Sequence, residues 1–452
     1  MTTRAAAAPR AQTRASQNRL LAALVDAFQQ PDIRRKLLFT FGMLVVFRFI
    51  AHVPLPGVDR EVLDAAFEGD AVLGFLDVFS GGALRNLSVA SLGVYPYVTA
   101  SIIMQLLIPM VPRLRALSQE GQYGRQRIQI YTHWLCVPVS FIQGYGQILL
   151  LNSGTGREVI SIGFSGEELL PTLTILFSMT AGTMFLVWIG ELITENGVGN
   201  GISIIIFGGI VAGLPGFIGQ GVVSDVGFGG LFLLAVVSIA LVALIVLFQE
   251  AQRRIPVQYA RSMFRGGRMY RQTGATHIPL RVNSAGMIPL IFAFSIMIFP
   301  SAAAGAIASG ESGFFQDFAD FIADITNPER GLYWLLTFIL VVIFTFFYTM
   351  VIFQQQNLAD NLQRQGGFIP GIRPGRPTHE YIIRVLTRIT WAGAFFLGFV
   401  AVVPYFASLF VDVNNSLRIS ATGMLIVVAV VLDTMKQLES QLLMRNYEGF
   451  IR

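Results

Sequence analysis

Charge, lysine and cysteine are what this sequence has little of. Only 13% of its 452 residues are Asp, Glu, Lys or Arg, against roughly a quarter in a soluble globular chain. A surface so poor in charge needs lipid around it. The only lysines are Lys36 and Lys436, and neither follows a glycine-rich loop. A G-x-x-x-x-G-K-[ST] phosphate cradle is therefore absent, and the chain cannot energise transport by its own ATP hydrolysis. The single cysteine, Cys136, excludes an internal disulfide, and His52, His133, His277 and His379 are scattered without ligand spacing. Neither redox nor metal chemistry is supported. Glu191 and Glu195 share a helical face at i, i+4 spacing, but no base or metal ligand accompanies them, and they read as solvated helix-end residues. The neighbouring GVGNG, Gly197 to Gly201, reads as a tight connection between two spans. No catalytic residue, cofactor or enzyme activity is expected.

What is abundant is apolar: 54% of the residues are hydrophobic. A bilayer core takes ~20 apolar residues per helix, and unsatisfied backbone groups forbid other spanning forms except a closed barrel. Runs near Leu37 to Ala51, Val89 to Pro112, Tyr131 to Leu151, Leu169 to Gly190, Gly201 to Ile218, Phe228 to Phe248, Ser284 to Ala303, Leu332 to Phe353, Ile389 to Val411 and Ile419 to Met435 predict ten transmembrane helices. The basic, Ala-rich stretch 1–36 lacks a small-residue cleavage site before the first run, which reads as a retained helix. With the N-terminus in the cytoplasm, the inner segments hold 26 basic and 10 acidic residues and the outer ones 5 and 16, leaving out Arg48 and Asp433 inside spans. That bias puts both termini in the cytoplasm. Arg48 and Asp433 lie near span ends, where each can snorkel to water.

The chain divides into a cytoplasmic segment 1–36, a half 37–218, a half 219–435 and a cytoplasmic tail 436–452. Five spans per half turn the second half upside down relative to the first, a common plan for membrane conduits. Gly74 to Ser88, GFLDVFSGGALRNLS, is too short to span. It reads either as a short helix entering the membrane partway, tolerable only if protein surrounds it, or as an amphipathic outer loop. Two loops on the inner side, 249–281 and 354–388, are Arg-rich and far exceed the ~2–8 residues that a helix connection takes. The second carries FIPGIRPGRP, whose prolines and glycines stiffen a protruding tip. Such projections suit an acidic partner, either ribosomal RNA phosphate or an acidic protein face.

Six strings carry a resemblance: FSGGALRNLSVASLGVYPYVTASIIMQLL, EGQYGRQRIQIYT, WIGELITENGVGNGISIIIFGGIVAGLP, IPVQYARS, THIPLRVNSAGMIPLIFAFSIMIFP and FFYTMVIFQQQNLADNLQRQGGFIPGIRPG. In this order, from about Pro31 to Glu448, the chain closely resembles the SecY family of protein-conducting channels. The resemblance implies an all-α membrane protein of the bacterial inner membrane, with ten helices in two inverted halves around a central pore. It implies a hydrophobic pore ring of Val94, Val98, Ile202, Ile206, Ile291 and Ile426, with Val where the family often has Ile at the first two. The segment at 74–88 becomes a plug, with Ser80, Gly81, Gly82, Ala83 and Leu84 its most recognisable part. Gln105 and Asn283 become polar residues of a lateral gate, and Arg253, Arg254 and Arg373 docking residues. The implied partners are the SecE and SecG subunits, the SecA motor ATPase, the ribosome, signal-bearing polypeptides and membrane lipids. A secondary carrier of a small solute is the competing expectation; the scarcity of mid-membrane charge disfavours it.

Overall fold

A computed structural model describes residues 30–56, 58, 60–69, 73, 77, 80–153, 159–160, 168–223, 228–265, 268–286, 288–294, 296–297, 321–322, 324–325, 330–356, 358–410, 423, 426–439 and 441. Most of both expected terminal segments, the end of the expected seventh span, the start of the tenth and parts of 74–88 lie outside the described residues.

Helix α1 (Pro31–Ile50) opens with Pro31, whose missing N–H costs nothing in the first turn, and with Asp32 at the positive end of the helix dipole. Its buried side chains are Ile33, Thr40 and Phe47. That spacing of seven makes one thin inward stripe, while Leu38, Phe41, Val45 and Phe49 stand exposed. So much exposed aliphatic surface on one helix suits lipid, not water.

Next come α2 (Arg60–Gly69), α3 (Tyr95–Met110), α4 (Pro112–Gln119), α5 (Gln122–Ser153), α6 (Leu169–Asn196), α7 (Gly201–Val223) and α8 (Phe228–Glu250). α3 and α4 are bent by 99° at Val111, whose extended backbone is what the following Pro112 enforces. A hairpin of β1 (Gln252–Arg265) and β2 (Arg268–Arg281) follows, then α9 (Gly331–Gln356), α10 (Leu358–Arg364), β3 (Gly367–Phe368) and α11 (Arg376–Phe410). Residues 288–294 and 426–439 are also helical. Among the described residues, Gln122–Asn152, Leu169–Asn196, Gly331–Arg364 and Arg376–Val403 are long and apolar enough to cross a membrane, and α3 with α4 makes a fifth if read as one span. The expected first, fifth and sixth spans coincide with α1, α7 and α8.

The departure from an all-α chain is a three-stranded sheet, ordered β2-β1-β3. β1 and β2 pair antiparallel from Gln252 opposite Arg281 to Arg265 opposite Arg268. The two expected long loops are thus not irregular, nor are they separate. β3 brings Gly367 and Phe368 of the second against Tyr259 and Gln258 of the first. Alternation explains it: Ile255 and Val257 are buried while Arg254 and Pro256 are exposed. The inward face packs on Phe353, Leu362, Ile369, Ile382 and Leu386. At Gly367 a Cβ would stand 2.8 Å from the Tyr259 ring, so only glycine lets the strands close.

The turn from α6 to α7 is as tight as its glycines suggest. A Cβ on Gly201 would stand 1.8 Å from the Gly190 carbonyl oxygen. Asn200 Oδ1 caps α7 by accepting the N–H of Ile202 at 3.1 Å and that of Ser203 at 3.4 Å. Thr40 of α1 accepts the Val198 N–H at 3.2 Å, tying α1 to this turn.

Candidate functional site

Four segments deliver the six expected ring positions. On α3 the N–H of Val98 donates to the Val94 carbonyl at 3.1 Å, so these two side chains stack one turn apart. On α7 the Asn200 cap fixes the start of the helix, and Ile202 and Ile206 follow with the same one-turn spacing. Ile291 and Ile426 come from the helical residues 288–294 and 426–439. One apolar cluster holds them all: Val94, Val98, Ile206 and Ile426 buried, Ile202 and Ile291 partly buried against it. Ile202 also packs against Gly190, where a Cβ would be 2.6 Å from its Cδ1.

Residues 80–84 lie at the edge of this cluster. Ala83 belongs to it, whereas Leu84 and Leu87 belong to a second cluster with Leu55, Leu63, Leu92, Ile148 and Leu151. The segment is knotted on itself. Ser80 Oγ donates to the Asp77 carbonyl at 3.0 Å and accepts the Leu84 N–H at 3.0 Å, and the Gly82 N–H donates to the same Asp77 carbonyl at 2.9 Å. Gly81 and Gly82 have φ of +73° and +80°, the left-handed region where a side chain is strained. Burial pushes the Asp77 carboxyl above its ordinary range, against the Arg85 N–H and the Arg85 charge, which favour its ionised form. The end of the segment is pinned to the chain after α1: the Leu55 N–H donates to Leu87 O at 2.9 Å and the Val89 N–H to Val53 O at 3.0 Å.

A cavity of about 440 Å³ of mixed lining meets the cluster at Ile291 and Val430, with Asn200, Ser203, Asn283, Asp433 and Lys436 on its polar side.

The two expected gate residues do not bond each other. Gln105 Nε2 donates to Ser101 Oγ at 3.2 Å on its own helix, and Asn283 Nδ2 to the Gly286 carbonyl at 3.0 Å. One polar link joins α3 to α5 on the same side of the expected gate: Gln143 Nε2 donates to Thr99 Oγ1 at 3.1 Å. A second polar cluster was also not foreseen. Glu191, part-exposed near the end of α6, also has partners on α5: its Oε1 accepts Gln129 Nε2 at 2.6 Å and lies 2.8 Å from His133 Nε2. The signal was the presence of His133 inside an apolar run, since such a residue calls for a partner on a neighbouring helix.

Arg253, Arg254 and Arg373 are all exposed on the sheet and its adjoining turn. The turn is held from inside: the Thr378 hydroxyl donates to the Arg373 carbonyl at 2.8 Å, the Ile372 N–H to Ile369 O at 3.0 Å, and Ile369 is buried. Among the described residues no group of three or more His, Cys, Asp or Glu side chains could hold a metal.

The SecY family model matches residues 88–435. Protein translocase subunit SecY of Streptomyces lividans is 43% identical over 449 residues, covering 96% of this chain and all of the relative. The subunit of the same name from Halalkalibacterium halodurans is 42% identical over 445 residues, covering 94% of this chain and 99% of the relative. Among solved structures, one describing how the plug domain of the SecY protein stabilises the closed state of the translocation channel superposes with a TM-score of 0.62 at 19% identity, covering 90% of this chain and 92% of the other. Sec61 in the canine ribosome-channel complex gives 0.59 at 18% identity, with the same coverage. By family match and by relatives aligned end to end, this chain belongs to the SecY family.

Proposed function

We infer that this chain is the channel-forming subunit of a protein translocase, a passive conduit that passes unfolded polypeptides across the bacterial inner membrane and releases apolar segments sideways into lipid. The observation that carries the reading is the gathering of the six aliphatic positions, with Ala83, in one apolar cluster, whose Ile291 also lines a cavity of about 440 Å³. A conduit for unrelated chains gains nothing from fixed hydrogen bonds, because each polar site would trap or reject some sequences. An apolar constriction treats all side chains alike and dewets when empty. Segments with ~20 apolar residues then leave through a gate beside α3 and α5, while charged stretches, which cost ~2.5–3.5 kcal/mol per residue in lipid, stay in the aqueous path.

In this reading the chain forms ten helices in two inverted halves, with both termini in the cytoplasm. The segment at 74–88 is the plug, Gln105 and Asn283 line the gate, and Arg253, Arg254 and Arg373 receive the SecA motor or the ribosome. SecE and SecG complete the complex. The relatives and neighbours named above are translocase or channel subunits, which leaves the small-solute carrier without support. Reconstitution into vesicles with SecE, SecG and SecA tests the reading. The expected result is ATP-dependent protection of a signal-bearing precursor from protease; saturable small-solute uptake with no precursor protected would contradict it.

A further inference from the structure

Arg48 lies inside α1, two residues before its last residue Ile50, in the apolar sequence VVFRFI. A guanidinium cannot lose its charge, so at this depth it must reach water or an acceptor. It does not snorkel as the sequence suggested: among the described residues, Arg48 Nη1 donates to the backbone carbonyl of Gly81 in the plug segment. The neighbouring His52, in the turn after α1, places Nδ1 2.7 Å from the Arg48 carbonyl oxygen and so engages the Arg48 backbone, not its guanidinium. Gly81 is held there by close backbone contact. A Cβ on Gly81 would stand 2.6 Å from Gly209 Cα of α7 and 3.1 Å from the Phe47 ring, and one on Gly209 would stand 2.9 Å from Gly81 Cα. The two glycines form a seat that brings the plug backbone within reach of α1, and its left-handed φ gives Gly81 the geometry of a turn that only glycine adopts without strain.

We propose that Arg48 is the latch of the closed channel, a positioning residue whose charged hydrogen bond to the Gly81 carbonyl, over the Gly81–Gly209 seat, holds the plug against α1 and α7. The proposal rests on the reading of residues 74–88 as a plug. A hydrogen bond to a backbone carbonyl reads no side chain, so the latch sets how readily the channel opens without choosing among substrates. When the plug leaves, Arg48 loses its acceptor and requires water in the opened path. The latch therefore opposes opening until a chain or water enters.

The test uses the complete complex in vesicles, measuring ion leak of the idle channel and export of a precursor with a defective signal. Losing a charged hydrogen bond shifts the open fraction by about 10- to 100-fold. Arg48→Met is expected to raise leak and defective-signal export by that order, and Arg48→Lys, which keeps a donor, by less. Gly209→Ala, which leaves Arg48 intact, is expected to leak because its methyl group lifts Gly81 off the seat. With residues 80–84 deleted, Arg48→Met is expected to add no further leak. Wild-type leak in Arg48→Met, or an equal increase with and without residues 80–84, overturns the latch. Export of the normal precursor by the unmodified complex is measured alongside; its failure would indict the channel reading, whereas normal export with an indifferent Arg48 would indict the latch alone.

Discussion

The apolar cluster proposed as the waist and the three-stranded sheet are built on opposite principles. In the cluster, Val94, Val98, Ile206 and Ile426 are buried together and offer only aliphatic side chains. On the sheet, main-chain pairing and a small core behind Ile255 and Val257 leave Arg253 and Arg254 exposed, and the held turn beside it presents Arg373. The first surface discriminates little because dispersion and dewetting depend weakly on sequence. The second discriminates strongly because a guanidinium on a rigid support selects a partner by charge and geometry. A conduit with an external drive needs both: indifference where the cargo passes and specificity where the drive attaches.

The contrast is broken most strongly by reversing charge on the projection. Arg373→Glu puts a like charge against an acidic partner. Motor-driven or ribosome-driven export is expected to fall at least about 30-fold, with the chain still inserted in the membrane, as read by precursor protection and by membrane abundance. Making the waist polar is the next largest change. Ile206→Asn or Ile426→Asn buries an amide without a partner, at about 1–3 kcal/mol. The closed state then weakens, and idle leak and acceptance of defective signals are expected to rise about tenfold. Thr40→Val removes the acceptor of the Val198 N–H at the α6–α7 turn and is expected to cost about 1 kcal/mol, seen as a modest drop in the melting temperature of the detergent-solubilised complex. The smallest effect sharpens the contrast from the other side. Arg376 and Glu380 form an exposed i, i+4 pair at 3.1 Å, and Arg376→Ala is expected to change stability by less than about 0.5 kcal/mol. Export unaffected by that variant would show that the projection works through particular arginines and not through total charge.

The apolar runs were legible because the bilayer imposes one requirement, a continuous stretch of about 20 apolar residues, and α5, α6, α9 and α11 meet it. The sheet was less legible. Its period-two signal, Ile255, Val257 and Tyr259 against Ile278 and Leu280, and the Gly-Gly dipeptide between the strands are present, but arginines and Pro256 overlie the alternation. The joining of two loops by β3 rests on only two residue pairs, Gln258 with Phe368 and Tyr259 with Gly367, over a hundred positions apart in sequence. Contacts between a side chain and a distant backbone were illegible in principle: nothing in the order of residues says that the Arg48 guanidinium meets the Gly81 carbonyl. The pairing of Glu191 with His133 was hidden by the same distance. The sequence read Arg48 as reaching water and Glu191 as a solvated helix end, and only the fold showed a protein partner for each.

The most direct test of the waist is a photocrosslinking map of a precursor arrested midway, with a probe set in turn at each of the six ring positions and at Phe41 and Trp134, which are 67% and 75% exposed on the outer apolar face. Crosslinks from all six ring positions to the arrested chain, with Phe41 and Trp134 marking lipid, are the expected result. Crosslinks from the ring positions to lipid alone, with the precursor marked elsewhere, would contradict the central claim.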